Sequence, residues 1–162
     1  MHTDSPLIGT ARLEAESVTN RFGARLASAL RPGDIVFLEG ELGAGKSTLA
    51  RAILHAMGWT GAVRSPSYAL VHSYATECGK VNHLDLYRIG SMDEALGLDL
   101  DELSAAESIS LVEWPDRLGE SLAPTWRVHL EIDGEGRKLN LRGPSRSGFE
   151  SILAHLNQEN DS

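Results

Sequence analysis

The sequence is poor in cysteine, in long apolar runs and in positive charge, and each shortage excludes something. Its single cysteine, Cys78, rules out an internal disulfide and a cysteine-built zinc cluster and fits a reducing compartment. The apolar runs are short, as at Ile35 to Leu38, and none approaches the roughly 20 residues that a membrane span needs. Met1-His2-Thr3-Asp4-Ser5-Pro6 has no basic stretch leading into an apolar one, so no secretory signal is read and a cytoplasmic location is expected. Lys and Arg number 15 against 23 Asp and Glu, for a formal charge of −8. A chain this acidic is ill suited to grip a nucleic-acid backbone by itself. Internal repeats, low-complexity tracts and Ser/Gly-rich linkers are also missing.

What is present is ordinary globular material, 41% hydrophobic and 23% charged, enough for a real core. At about 150 residues per domain, the length predicts a single domain over 1–162, with an ordered core of about 8–157. Val18, Phe22, Leu26, Ala29 and Leu30 recur at helical spacing and predict a helix from about Ser17 to Leu30. Gly23 inside it costs up to about 1 kcal/mol relative to alanine. Arg31-Pro32-Gly33-Asp34 turns the chain into Ile35 to Leu38, read as a strand buried on both faces. Lys46 to Met57 is again helical through Leu49, Ala52, Ile53 and Ala56, and Gly58 supplies the stop.

Further on, Tyr68 to Tyr74 and Lys80 to Tyr87 read as strands, and Glu77-Cys78-Gly79 between them predicts an antiparallel hairpin. Ser91 suits the N-cap of a short helix over Met92 to Leu96, and the acidic Asp99 to Glu102 reads as a solvated turn. Ile109 to Val112 is a strand ended by Glu113-Trp114-Pro115. Trp126 to Ile132 and Arg137 to Leu141 flank a second hairpin turn at Asp133 to Gly136. Ser145 to Leu156 reads as a closing helix, and the polar tail after Gln158 as a frayed end. Helices interleaved with strands and hairpins point to an α/β sandwich with a mixed, partly antiparallel sheet.

The chemistry is carried by Gly40-Glu41-Leu42-Gly43-Ala44-Gly45-Lys46-Ser47. This is the phosphate-binding loop pattern, placed between a buried strand and an amphipathic helix as that loop requires. Its glycines let successive N–H groups turn inward on a phosphate, and the helix end adds positive field. Lys46 would lie against the outer phosphates and the Ser47 hydroxyl would ligate magnesium. Such a site also needs carboxylates. His83, Asp85 and Tyr87 share one strand face, and Leu84 and Leu86 take the other. Glu113 sits where a strand end delivers side chains to the crevice of an α/β sheet. Alternatively, Asp85 pairs with Arg88 or His83 structurally, and Glu113 is a solvated strand end. His83 with Asp85 makes a poor metal pair, since no third ligand is evident.

No Asn-Lys-x-Asp segment occurs, so ATP is expected over GTP. An Arg-rich lid is lacking as well: between Trp59 and Tyr87 the basic residues are Arg64 and Lys80, which argues against a small-molecule kinase. Arg64-Ser65-Pro66-Ser67-Tyr68 fits either a nucleotide-sensing switch or an ordinary Ser-Pro turn.

Gly43 to Ser47, Ser65-Pro66-Ser67-Tyr68, His83-Leu84-Asp85-Leu86-Tyr87-Arg88 and Val112-Glu113-Trp114-Pro115, in that order and at those distances, resemble the TsaE (YjeE) family. These are small bacterial P-loop ATPases of the tRNA threonylcarbamoyladenosine pathway, and the resemblance runs from about Ser17 to Leu141. It implies a P-loop NTPase-like three-layer fold, slow hydrolysis of ATP with Mg2+, and a partner complex of the TsaB–TsaD type. That complex modifies adenosine in tRNAs reading codons that begin with A and would itself hold most of the tRNA. By motif match, Ser47 and Glu113 become the magnesium residues, and Lys46, Asp85 and Glu113 the catalytic set. Thr19, Gly43, Ala44, Gly45, Lys46, Ser47, Thr48 and Arg137 become the nucleotide contacts. The family often has threonine where this chain has Ser47 and Ser67; both replacements keep the hydroxyl. The leading expectation is a partner-stimulated ATPase subunit. The alternatives are an ATP-dependent switch whose hydrolysis is incidental, and a small-molecule kinase.

Overall fold

Turn chemistry divides the chain into the elements of the computed structural model, which describes residues 7–64, 71–88 and 99–144 together with Leu153 and Leu156. In chain order these are β1 (Leu7–Leu13), α1 (Glu16–Ala29), β2 (Ile35–Gly40), α2 (Lys46–Ala56), β3 (Val71–Thr76) and β4 (Gly79–Asp85). A helical turn at Leu100–Leu103, β5 (Ser108–Glu113), a 3-10 turn at Pro115–Leu118, β6 (Trp126–Asp133) and β7 (Gly136–Arg142) follow. The expected switch segment Arg64 to Tyr68, apart from Arg64 itself, the Met92 to Leu96 helix and the tail after Gln158 lie outside the described residues. So does the closing helix, except that Leu153 and Leu156 are helical and buried in the core.

The seven described strands form one sheet in the order β1-β7-β6-β2-β5-β4-β3. β2 pairs in parallel with β6 and β5, and β5 in parallel with β4, while the β3–β4, β6–β7 and β1–β7 pairs are antiparallel. The expected mixed sheet is thus a parallel centre with antiparallel edges. β1 has no counterpart in the sequence reading. It is an edge strand whose first four residues are only partly covered, and its register slips between Leu7 and Gly9, so its alternation is weak.

Alternation along the parallel strands sorts two cores. Val36 and Leu38 of β2, Ile109 and Leu111 of β5 and Val128 of β6 meet α1 and α2 on one face. Ile35, Phe37, Leu84 and Val112 meet Leu103, Leu118 and Leu122 on the other. Among the described residues the three layers are therefore unequal, with two helices on one side and short turns on the other. Phe22, Leu26, Leu49, Ile53 and Leu54 are fully buried between the helices and the sheet, each contributing roughly 1.5–3 kcal/mol. Gly23 is there because α1 and α2 touch at that point: a Cβ on it would stand 2.6 Å from the Ala52 Cβ. Its low helix propensity is offset by close packing.

The acidic stretch at Asp99 differs from its expected form. Asp99 caps a helical turn by accepting the Glu102 N–H at 3.1 Å, because the apolar Leu103 at its end is drawn into the second core. No helix among the described residues is long and apolar enough to cross a membrane.

Candidate functional site

The site lies beyond the carboxyl ends of the parallel strands, where an open α/β sheet leaves a crevice. β2 runs into the glycine loop at Gly40. A Cβ there would collide with the Leu130 carbonyl oxygen of β6, and its φ of 145° lies where side chains are disfavoured; only glycine lets the loop leave the sheet so closely. Gly45, in the left-handed conformation, then starts α2, and no side chain caps the helix. The first N–H groups of α2 are left facing the crevice, where an anion suits them. A Cβ at Gly43 would meet nothing within 4 Å, so the space over the loop is open.

Lys46, the first residue of α2, is 95% buried at its position, with a relative exposure of 5%. Its Nζ donates to the Gly40 carbonyl at 2.6 Å and the Glu41 carbonyl at 2.9 Å. The Trp114 ring centroid lies 4.3 Å away, a cation–π contact. Burial pulls the ammonium below its ordinary value of 10.5, opposed by the carboxylates of Glu113, Asp85 and Glu41. A triphosphate brought to this point would favour the charged form. Trp114 is the one non-glycine residue with positive φ among those described, at 58°. That strain, about 1–3 kcal/mol, turns the chain between Glu113 and Pro115 and tips the indole over the loop. Tyr87 packs on it at 5.0 Å.

Parallel pairing of β4 and β5 sets Asp85 beside Glu113. The Ser47 hydroxyl donates to Glu113 Oε1 at 2.9 Å, and Glu113 Oε2 meets His83 Nε2 at 2.6 Å. Glu113 is therefore no solvated strand end; its exposure is 2%. Asp85 accepts the Tyr87 N–H at 3.1 Å, and His83 turns to Glu113 instead. Among the described residues no three His, Cys, Asp or Glu side chains cluster as a metal cage. A hydroxyl and a carboxylate in contact suit magnesium, which takes few protein oxygens and completes its shell with phosphate and water.

Two cavities flank the loop. One, of about 240 Å³, is lined by Lys46, Ser47, Asp85, Glu113 and Trp114. The other, of about 170 Å³, is lined by Leu13, Glu16, Thr19, Ala44, Thr48 and Arg137. Gly43, Gly45 and Thr48 border both, so every sequence-predicted site residue borders one or the other. Arg137 reaches the loop from β7, donating to the Ala44 and Gly43 carbonyls at 3.1 Å each. Sequence reasoning missed the Trp114 stacking and the His83–Glu113 contact. The usable signals were the position of Trp114 next to a candidate ligand and that of His83 on the Asp85 face.

A strand, glycine loop and helix on a mixed sheet, with hydroxyl and carboxylates gathered at the loop's mouth, define an α/β protein of the P-loop NTPase-like class. More narrowly, this chain belongs to the TsaE family: residues 13–141 match the family model for threonylcarbamoyl adenosine biosynthesis protein TsaE. It is 44% identical to the tRNA threonylcarbamoyladenosine biosynthesis protein TsaE of Streptomyces coelicolor, over 68% of this chain and 76% of that one. To the protein of the same name in Haemophilus influenzae it is 33% identical, over 85% and 90%. The crystal structure of Bacillus subtilis YdiB shares the fold, with a TM-score of 0.69 over 99% of both chains at 24% identity.

Proposed function

We propose that this chain binds ATP with Mg2+ on the glycine loop, hydrolyses it slowly, and serves as an accessory subunit in forming threonylcarbamoyladenosine in tRNA. The observation that carries this is the contact between Ser47 and Glu113 beside the buried Lys46. A hydroxyl, a carboxylate and an ammonium brought into one crevice are the parts that a metal–triphosphate needs from a protein. Ser47 and Glu113 would hold magnesium, which when bound supplies charge neutralisation at the outer phosphates. Lys46 exchanges its two loop carbonyls for phosphate oxygens. Asp85, which accepts the Tyr87 N–H and enters no ion pair among the described residues, would orient water. Thr19, Ala44, Thr48 and Arg137 border the cavity that would take the nucleoside. With no arginine among the described residues that line the Lys46 cavity, hydrolysis as slow as about 10⁻⁴ per second is compatible with this role.

The partner would be a TsaB–TsaD-type complex acting in the cytoplasm on tRNAs that read codons beginning with A. A formal charge of −8 is consistent with that partner, not this chain, holding the tRNA. Calorimetric titration of ATP with Mg2+ into the unaltered chain and Lys46→Ala should detect binding to the first alone; identical behaviour would end the assignment. Adding the purified complex should then accelerate ATP consumption together with tRNA product.

The grip of Lys46 on its own loop carbonyls favours one second reading, a switch: binding must release that grip, so the nucleotide remodels the loop whether or not it is cleaved. Asp85→Ala and Glu113→Ala separate the two. Loss of turnover with modification intact selects the switch.

A further inference from the structure

His83 is 2% exposed, and its Nε2 lies 2.6 Å from Glu113 Oε2. It does not border the cavity that Lys46, Ser47, Asp85 and Glu113 line. Its backbone partner on β5 is Leu111, so the contact to Glu113 is a diagonal one, made by side chains on one face two residues apart in register. The other ring nitrogen, Nδ1, is buried and has no hydrogen-bond partner among the described residues. A histidine kept for filling space alone would be poorly chosen here, because an apolar side chain of similar size would strand no nitrogen. With the proton on Nε2, the ring donates to Glu113 and leaves Nδ1 with an unfilled lone pair, not a stranded N–H.

The division of Glu113 is equally specific. Oε1 takes the Ser47 hydroxyl and Oε2 takes His83. When a cation draws on Ser47 and Oε1, the second oxygen stays pinned, so the carboxylate cannot swing away or take both lone-pair sets to the metal.

We propose that His83 is a positioning residue that fixes the rotation of the Glu113 carboxylate, so that one oxygen alone is presented to magnesium beside Ser47. This rests on the magnesium–nucleotide reading given above. The buried partner of a metal-holding carboxylate tunes metal affinity by about 10–100-fold, while nucleotide held by loop amides and Lys46 without metal should be indifferent to it.

The experiment is calorimetric titration of ATP into the full chain, once in EDTA and once with Mg2+, for the unaltered protein and for His83→Leu, His83→Gln and His83→Asn. Expected are equal affinities in EDTA and a magnesium-dependent gain smaller by roughly tenfold or more in His83→Leu. The magnesium concentration at half-maximal hydrolysis should rise in parallel. Glutamine places its amide nitrogen where Nε2 stands and should restore the gain to within about threefold; asparagine reaches only the Nδ1 position and should not. An equal magnesium gain in His83→Leu and the unaltered chain overturns the proposal. If His83→Leu does not fold, equal gains in His83→Gln and His83→Asn overturn it. An unaltered chain that binds no nucleotide at all overturns the site reading first, a result distinguishable from loss of the magnesium gain alone.

Discussion

Two buried carboxylates stand at opposite ends of the same parallel strands. Asp34, just before β2, is 5% exposed, and Glu113, the last residue of β5, is 2% exposed. Burial alone therefore does not tell a structural acid from a functional one. The partners do. Asp34 Oδ2 accepts the Arg31 backbone N–H at 2.9 Å and the Trp126 indole N–H at 3.1 Å, donors fixed by a turn and a core ring. It ties the α1–β2 turn to the start of β6. Glu113 instead accepts from a rotatable serine hydroxyl, at the edge of an open cavity and beside a buried ammonium. Its serine partner can be exchanged for a ligand while His83 keeps the other oxygen; the donors to Asp34 cannot be exchanged without opening the core.

That contrast can be broken in stages. Glu113→Gln should lower ATP turnover more than about a hundredfold while leaving the melting temperature nearly unchanged; a large loss of stability with turnover kept would reverse the assignment. For Lys46→Ala, weakening of ATP binding by about a hundredfold is expected from the loss of charge-assisted bonds, measured by calorimetry. Asp34→Ala should do the opposite of Glu113→Gln. Denaturant melts should show about 2–3 kcal/mol lost as the Arg31 and Trp126 N–H groups lose that acceptor, with ATP affinity of the folded fraction unchanged. Gly40→Ala, strained in φ and pressed on the Leu130 carbonyl, should cost about 1–3 kcal/mol and weaken ATP binding too, since it lies in both the sheet and the loop. At the bottom of the scale, Lys80 and Glu102 form an exposed ion pair, and Lys80→Ala should change stability by less than about 1 kcal/mol.

How far the molecule could be read in advance varied with the range of the interactions. The glycine loop was legible because its demands are local: left-handed backbone at Gly45 and an uncapped helix start at Lys46 follow from neighbours in the chain. α1, α2 and the inner strands were legible because their apolar periodicity is strong. β1 was not, since an edge strand with one side half-covered and Gly9 at a register slip carries little period. Nor was the turn at Asp99, whose acidic surface concealed the buried Leu103. Glu113 was legible as a strand-end acid and, through the family resemblance, as the magnesium-site companion of Ser47, 66 residues away; its contact with His83, 30 residues away, was not.

By itself, then, the order of residues settled which groups were available: a loop able to point amides inward, one ammonium, one hydroxyl and two strand-end acids. Those depend on torsional freedom and side-chain chemistry, which act over a few residues. Tertiary structure decided which of them meet. The parallel register that sets Asp85 opposite Glu113, the fold-back of Trp114 onto Lys46 and the reach of Arg137 from the last strand come from packing distant strands into one sheet. Such contacts carry no local periodicity, because the side chain that completes each one arrives only with the rest of the core.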